Sequence, residues 1–329
     1  MGTLLEGARQ ALFVCLGLKK NEKITIITDL ETLKVGKTFH DVARKVTPNI
    51  NVFVLEDFGK RPLQQLPQEI ASEVKESDVV LFAAKKIGNE VYTIRRPLRH
   101  LASHARFASM PGVNEKVMET GMCTDHKKIW KFSKKVYNLL SCAKEILVKT
   151  PAGTNLEVEL NKRFKWMNSD GDLRRGSPCV NLPGAEIWTY PAKIEGIAVI
   201  DGILGDYFSE RYGLLDDNPV ILRIENGSVI SVECENPKLE KDLNAYLSSD
   251  KNGKRIGEFA LGTNPFLKDF IGICLQDEKL PTVHIAMGNP YPELTGAEYT
   301  SKIHVDGVMR NASVWVDGKL ILSKGKYRL

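Results

Sequence analysis

KITIITDLETLKVGKTFHDVARKVTPNINVFVLED, residues 23–57, holds a β-rich run, a helical segment and a second β-rich run. KITIITD and NVFVLED (51–57) are rich in Ile, Val, Thr and Phe, side chains that suit a pleated surface. Between them VGKTFHDVARKV repeats an apolar residue every three or four positions, the period of one helix face. The alternation continues outward with a helical PQEIASEVKES and a third strand, SDVVLFAA (77–84). Strand, helix, strand at this rhythm makes a layered α/β domain with a parallel sheet. The turn after the first strand, DLETLKVG, has no GxGxxG through which backbone could approach a pyrophosphate, so dinucleotide binding is not expected.

Beyond about residue 143 the pattern changes. ILVKTPAGTNLEVEL, VILRIENGSVISVE and SVWVDGKLIL each set a Gly-containing turn between alternating runs, which reads as three antiparallel hairpins. PKLEKDLNAYLSSD is a helix among them. The expected fold class is therefore α/β in two parts. Residues 1–145 form the α/β layered domain, and 146–329 form a mainly antiparallel β domain with a few helices.

Composition narrows the functional classes. The chain has 329 residues, 43% of them hydrophobic, enough for two ordinary cores, and a modest net charge of +5. Its densest basic stretch, DHKKIWKFSKKVYNLL from Asp125, spaces lysines around Trp130, Val136 and Leu139 as an amphipathic helix would, so no nucleic-acid partner is expected. No run of about eighteen apolar residues occurs, and MGTLLEGARQALFVCLGLKK lacks the layout of a signal peptide; the expectation is a cytoplasmic protein with no membrane partner. Six cysteines without a CxxC pair read as buried, reduced thiols. His40, His100, His104 and His126 read as surface or helix-packing residues.

The candidate chemistry lies in the second part. HIAMG supplies His284, and HVDG supplies His304 and Asp306, which share one face of a strand because side chains alternate with period two. NLPGAEIWTYP places Glu186 beyond a Pro-Gly turn, RIGEFALGTNP puts Glu258 in an otherwise apolar run flanked by glycines, and LQDEKLPTVHIAMG adds Asp277 and Glu278. Acids in apolar strands are costly unless a cation compensates them, and imidazoles with carboxylates are the donors of catalytic divalent metals. Tyr291 sits between the two histidines.

NLPGAEIWTYP, GEFALGTN, HIAMGNPYPELTG and SKIHVDGVMRNASVWVDGK, in this order, resemble the aminopeptidase T family of metallopeptidases, the thermophilic metalloproteases. The resemblance covers chiefly residues 145–329, and SHARFASMPGVNEKVM is similar to the family's first domain. It implies that Glu186, Glu258, His284, His304 and Asp306 are metal ligands, with Glu278 six positions ahead of His284 as a further glutamate ligand. It also implies that Tyr291 is catalytic, that peptides are the substrate, and that the protein is a homodimer.

The expectation is an aminopeptidase with two divalent ions per chain, zinc, cobalt or manganese, in which Glu258 or Glu186 takes the water proton and Tyr291 stabilises the oxyanion. Compact relatives also resemble dihydroxypyridine ring-cleaving dioxygenases. A triad of His284, His304 and Asp306 holding one iron(II) is the alternative.

Overall fold

The computed structural model describes residues 2–329, which form two compact units. The first runs to Lys127 and includes Gly171–Gly184, and the second is Lys128–Asp170 with Ala185–Leu329. The expected boundary at 145 therefore falls inside the second unit. Val136 and Leu140, near the end of helix His126–Leu140, are buried in that unit's core. The change of texture at 145 marks where strands begin, whereas a unit begins where side chains start sharing a core. In the opposite sense, Val180 joins the core of the first unit, and Leu173 N–H donates to Cys15 O at 3.0 Å.

The first unit is the expected parallel sheet. Strands β1 (Ile24–Thr28), β2 (Ile50–Val54), β3 (Val79–Ala83) and β4 (Arg106–Ser109) run in the order β2-β1-β3-β4, all parallel. β1 and β3 are buried at every residue, as strands covered on both faces must be. Helices Leu33–Ala43 and Gln68–Lys75 match the two periodic segments. The carboxyl end of β1, where doubly wound folds often bind nucleotides, is filled from within. Buried Asp29 accepts from Arg61 at 2.7 Å, from the Lys85 N–H at 2.6 Å and from the Thr32 N–H at 2.8 Å, while Arg61 also pairs with Glu90 at 2.5 Å. Burial opposes charge on Asp29, but these donors hold it below the usual carboxylate range.

The second unit contains two antiparallel sheets. β5 (Glu145–Lys149), β6 (Asn155–Glu159), β9 (Lys193–Ile200), β11 (Val220–Glu225), β12 (Ser228–Glu233), β16 (Ser313–Val316), β17 (Lys319–Ser323) and β18 (Lys326–Tyr327) form one, ordered β12-β11-β9-β6-β5-β16-β17-β18. All three expected hairpins are in it, as β5–β6, β11–β12 and β16–β17. β7 (Met167–Ser169), β8 (Glu186–Thr189), β10 (Ile203–Leu204), β13 (Ile256–Gly262), β14 (Val283–Gly288) and β15 (His304–Val308) form the other, ordered β10-β15-β14-β13-β8-β7. Residues of both sheets share one core: Ile146, Val148, Leu156 and Val158 from the first, Phe259, Leu261, Val283, Ile285 and Met287 from the second. Period two then sends Glu258, His284, His304 and Asp306 to the opposite face.

None of the six cysteines is in a disulfide, but only Cys15, Cys179 and Cys274 are buried; Cys142 is exposed, and Cys123 and Cys234 are intermediate, so the expectation of buried thiols holds for half of them. No helix among the described residues is long and apolar enough to cross a membrane.

Candidate metal centre

Register assembles the site. β13 and β15 flank β14, and Ala286 pairs with Glu258 on one side and Asp306 on the other. His284 lies two residues along β14 from Ala286, opposite Ala260, while Gly262 pairs with Glu186 and Gly288 with His304. The acids and imidazoles are thus interleaved with Ala and Gly on a single sheet face. Small neighbours leave the long side chains room to converge above the sheet.

Glu278 arrives from a different direction. A Cβ on Gly262 would stand 1.8 Å from Leu280 O and 2.7 Å from Glu278 O, so only glycine lets segment 278–280 lie directly over the strand. Asp277, buried beside it, is absent from the cluster. Its carboxylate instead accepts the N–H groups of Ile271, Gly272 and Ile273 at 2.8–3.2 Å and closes that loop, with burial raising it to about 6.

The donors fall into sets whose ligand atoms lie within 4.8 Å of one another: Glu258, His304 and Asp306; Glu186, Glu278 and His284; and Cys274, Glu278 and Asp306. All six residues expected as ligands are gathered. The iron triad is not gathered as one set, since His304 and Asp306 close with Glu258, whereas His284 closes with Glu186 and Glu278. None of His40, His100, His104 and His126 joins a set; His126 Nε2 is paired with Met122 O at 3.1 Å.

Two features favour a cation here. His284 has no exposure, and neither ring nitrogen has a hydrogen-bond partner; its Nε2 is 3.4 Å from Glu258 Oε1 and 3.6 Å from Glu186 Oε2. Orphaned buried nitrogens are rare, and a metal between these atoms would give Nε2 its bond. His304 Nδ1 lies 3.0 Å from Asn289 O, which fixes the ring so that Nε2 faces Asp306 at 3.1 Å and Glu258 at 3.9 Å. A backbone carbonyl holding the far nitrogen is the usual support of a ligating imidazole.

The electrostatics agree. Burial lifts Glu258 above the ordinary carboxylate range, against the pull of the neighbouring His284 and His304 imidazoles. Burial likewise takes Glu278 to about 7, with Lys279 pulling the other way. For both histidines burial opposes the charge but the acids prevail: Glu258, Glu186 and Glu278 raise His284, and Tyr291, Asp306 and Glu258 raise His304 well above its usual value. Without a metal the centre keeps protons, as an unbalanced cluster of acids must.

Tyr291 stands at the open side. It has φ 49° and ψ 65°, left-handed backbone that costs a non-glycine residue energy, and its N–H donates to Asn289 Oδ1 at 3.0 Å. Its ring lies 4.9 Å from that of His304 and 5.7 Å from that of Trp188. The side chains of His304 and Asp306 keep 20% and 15% exposure, whereas Glu186 and Glu258 keep under a tenth. The more exposed edge of the cluster is therefore the one formed by His304 and Asp306, with Tyr291 beside His304.

Lys279 is the residue that sequence reasoning missed. It has no exposure, and its ammonium lies 2.7 Å from Glu186 Oε2 and in contact with Glu278 Oε1. A lysine after an acid at a strand approach ordinarily points to water, and no local pattern separates this one. Asn289 was missed for a similar reason, because its contribution to His304 is a backbone carbonyl.

The sequence profile of the Thermophilic metalloprotease (M29) family matches residues 116–324, well over half of the chain. The chain belongs to this family. Aminopeptidase T of Thermus aquaticus is 31% identical over 186 residues, covering 51% of the chain and 43% of that protein. Aminopeptidase T of Thermus thermophilus is 29% identical over 184 residues, covering 50% and 43%. The aligned segment thus spans less than half the length of these M29 relatives. In three dimensions the chain is similar to wild-type AmpT from Thermus thermophilus, with a TM-score of 0.69 at 19% identity over 99% of both chains. It is also similar to 2,5-dihydroxypyridine dioxygenase from Pseudomonas putida KT2440, with a TM-score of 0.71 at 14% identity over 98% and 96%. At these identities the two structures show a common fold. Membership of the M29 metalloproteases implies a divalent metal.

Proposed function

We propose that the chain is a metal-dependent aminopeptidase that releases N-terminal residues from peptides. The observation that carries this reading is the convergence, over one sheet face of an M29 chain, of four carboxylates and two imidazoles, with His304 and Asp306 at its more exposed edge. Glu258, His304 and Asp306 would hold the catalytic ion. Glu186, Glu278 and His284 form the set for a second ion of a dinuclear centre, provided Lys279 gives way. A bound zinc, cobalt or manganese ion supplies Lewis acidity and lowers the pKa of water.

The chain's own groups do the rest. Glu258, whose basicity burial raises, accepts the proton of the attacking water and returns it to the departing amine nitrogen as the C–N bond breaks. Tyr291 donates its hydroxyl to the carbonyl oxygen as negative charge gathers there. Carboxylates beside the entrance favour a substrate with a free α-ammonium group, which supports exopeptidase action. Peptide as substrate and a homodimer belong to the same reading and rest on the family resemblance.

The iron reading is less well supported, because the dioxygenase likeness is one of fold and the two histidines fall in separate sets. Hydrolysis of leucine p-nitroanilide by protein reconstituted with zinc, cobalt or manganese is the expected result. The proposal is overturned if none of the three forms hydrolyses aminoacyl anilides while the iron(II) form consumes oxygen with dihydroxylated pyridines.

Tyr291→Phe deletes only the proposed oxyanion donor. Its loss should cost about 3 kcal/mol, on the order of a hundredfold in kcat, with metal content and KM nearly unchanged. A kcat close to that of the wild type would leave Tyr291 as a residue that stiffens the NPYPE turn.

A further inference from the structure

The Glu186–Glu278–His284 set has a feature of its own. Two of its three donors are already occupied by a cation of the chain itself. Lys279 Nζ lies 2.7 Å from Glu186 Oε2 and contacts Glu278 Oε1, and this same Glu186 oxygen is the one 3.6 Å from His284 Nε2. A metal ion bound to those oxygens would press against an ammonium that has no exposure.

Lys279 is also held by its backbone. Its N–H donates to Gln276 O at 2.9 Å, its carbonyl accepts from Asn264 N–H at 3.0 Å, and the segment rests on Gly262, where any side chain would collide with it. Moving the ammonium out means lifting 278–280 off the sheet, and a lysine swung aside within the core would lose both carboxylates. By contrast Glu258 faces imidazoles, His284 at 3.4 Å and His304 at 3.9 Å, which give up their protons when a metal binds.

We propose that Lys279 serves as a built-in cation: its ammonium takes the place of a second metal ion in the Glu186–Glu278–His284 set, so that the centre carries one divalent ion, at Glu258, His304 and Asp306. This rests on the reading of the cluster as a metal centre and refines it. Glu186 and Glu278 become residues that position Lys279, and the fixed positive charge sits beside the single ion without exchanging with solvent.

Metal stoichiometry tests the proposal independently of turnover. Purified wild-type chain, stripped with chelator and dialysed against zinc or cobalt, is expected to retain one equivalent. Its cobalt form should give the magnetic signal of an isolated high-spin ion. Lys279→Met deletes the ammonium and keeps the volume, and is expected to raise retention to two equivalents. Glu186→Gln, which alters only the lysine-filled set, should leave the count at one.

Two equivalents in the wild type, spin-coupled cobalt, or a drop in Glu186→Gln from two to one would overturn the proposal. So would no retained metal, or a folded Lys279→Met protein that still holds one. If Lys279→Met does not fold, the wild-type and Glu186→Gln counts decide by themselves. One equivalent without anilide hydrolysis would uphold the lysine assignment and overturn the peptidase. Two equivalents with hydrolysis would do the reverse.

Discussion

His304→Ala will lose most of its bound metal and will hydrolyse aminoacyl anilides more than about a hundredfold more slowly than the wild type. That figure is the upper end of what loss of an outer-shell partner alone costs, and His304 is placed to bind the metal directly. The effect is on the site and not on the fold. His304 is partly exposed, its ring closes no part of the apolar core, and the β14–β15 ladder that carries it is made of backbone hydrogen bonds. Metal analysis and far-ultraviolet circular dichroism on the same sample check both halves, and full metal content with a native spectrum would overturn the assignment.

The wild type should also bind metal more tightly as the pH rises. In the metal-free state His304 has a raised pKa, so its charge stabilises that state below the ordinary histidine value of about 6.5, and the contribution is lost as pH climbs through the raised value. Metal needs the neutral ring, so each proton removed favours the ion. In His304→Ala this part of the pH dependence disappears.

The second large effect is expected from Glu258→Gln. The amide keeps the size of the side chain and part of its hydrogen bonding but can neither take a proton nor contribute charge to the metal. Loss of a general base typically costs about 10²–10⁴-fold, so kcat should fall by about a thousandfold. His304 and Asp306 remain, so metal binding should weaken without vanishing. Separate measurements of metal content and kcat distinguish a lost base from a lost ion. A fully loaded variant with near-normal kcat would move the proton transfer to Glu186 or Glu278.

Much of this was written locally in the chain. The β-branched runs and helical periods around residues 23–84 were sufficient for the parallel sheet, and the Gly-containing turns were sufficient for the three hairpins. HIAMG and HVDG each carry their own geometry, because alternation along a strand is a property of the backbone and sends His284 to the face of Ala286, and His304 to that of Asp306. Acids within apolar strands could likewise be recognised as awaiting a cation.

What the chain pattern left open depends on residues far apart in sequence. Alternation does not say that β14 lies between β13 and β15, and that order alone brings Glu258 and Asp306 to either side of Ala286. The unit boundary shifted from 145 for the same reason: Val136 and Leu140 belong to the second core through side-chain packing, which leaves no mark on secondary-structure texture. Lys279 is the sharpest case. Next to Glu278 and ahead of a proline it has the local signature of a solvated lysine, and only the approach of 278–280 to Gly262 buries it between Glu186 and Glu278. Burial and charge pairing are set by what lies across space, so local pattern determined the candidate donors, and tertiary packing decided which of them stand together and which cation already stands among them.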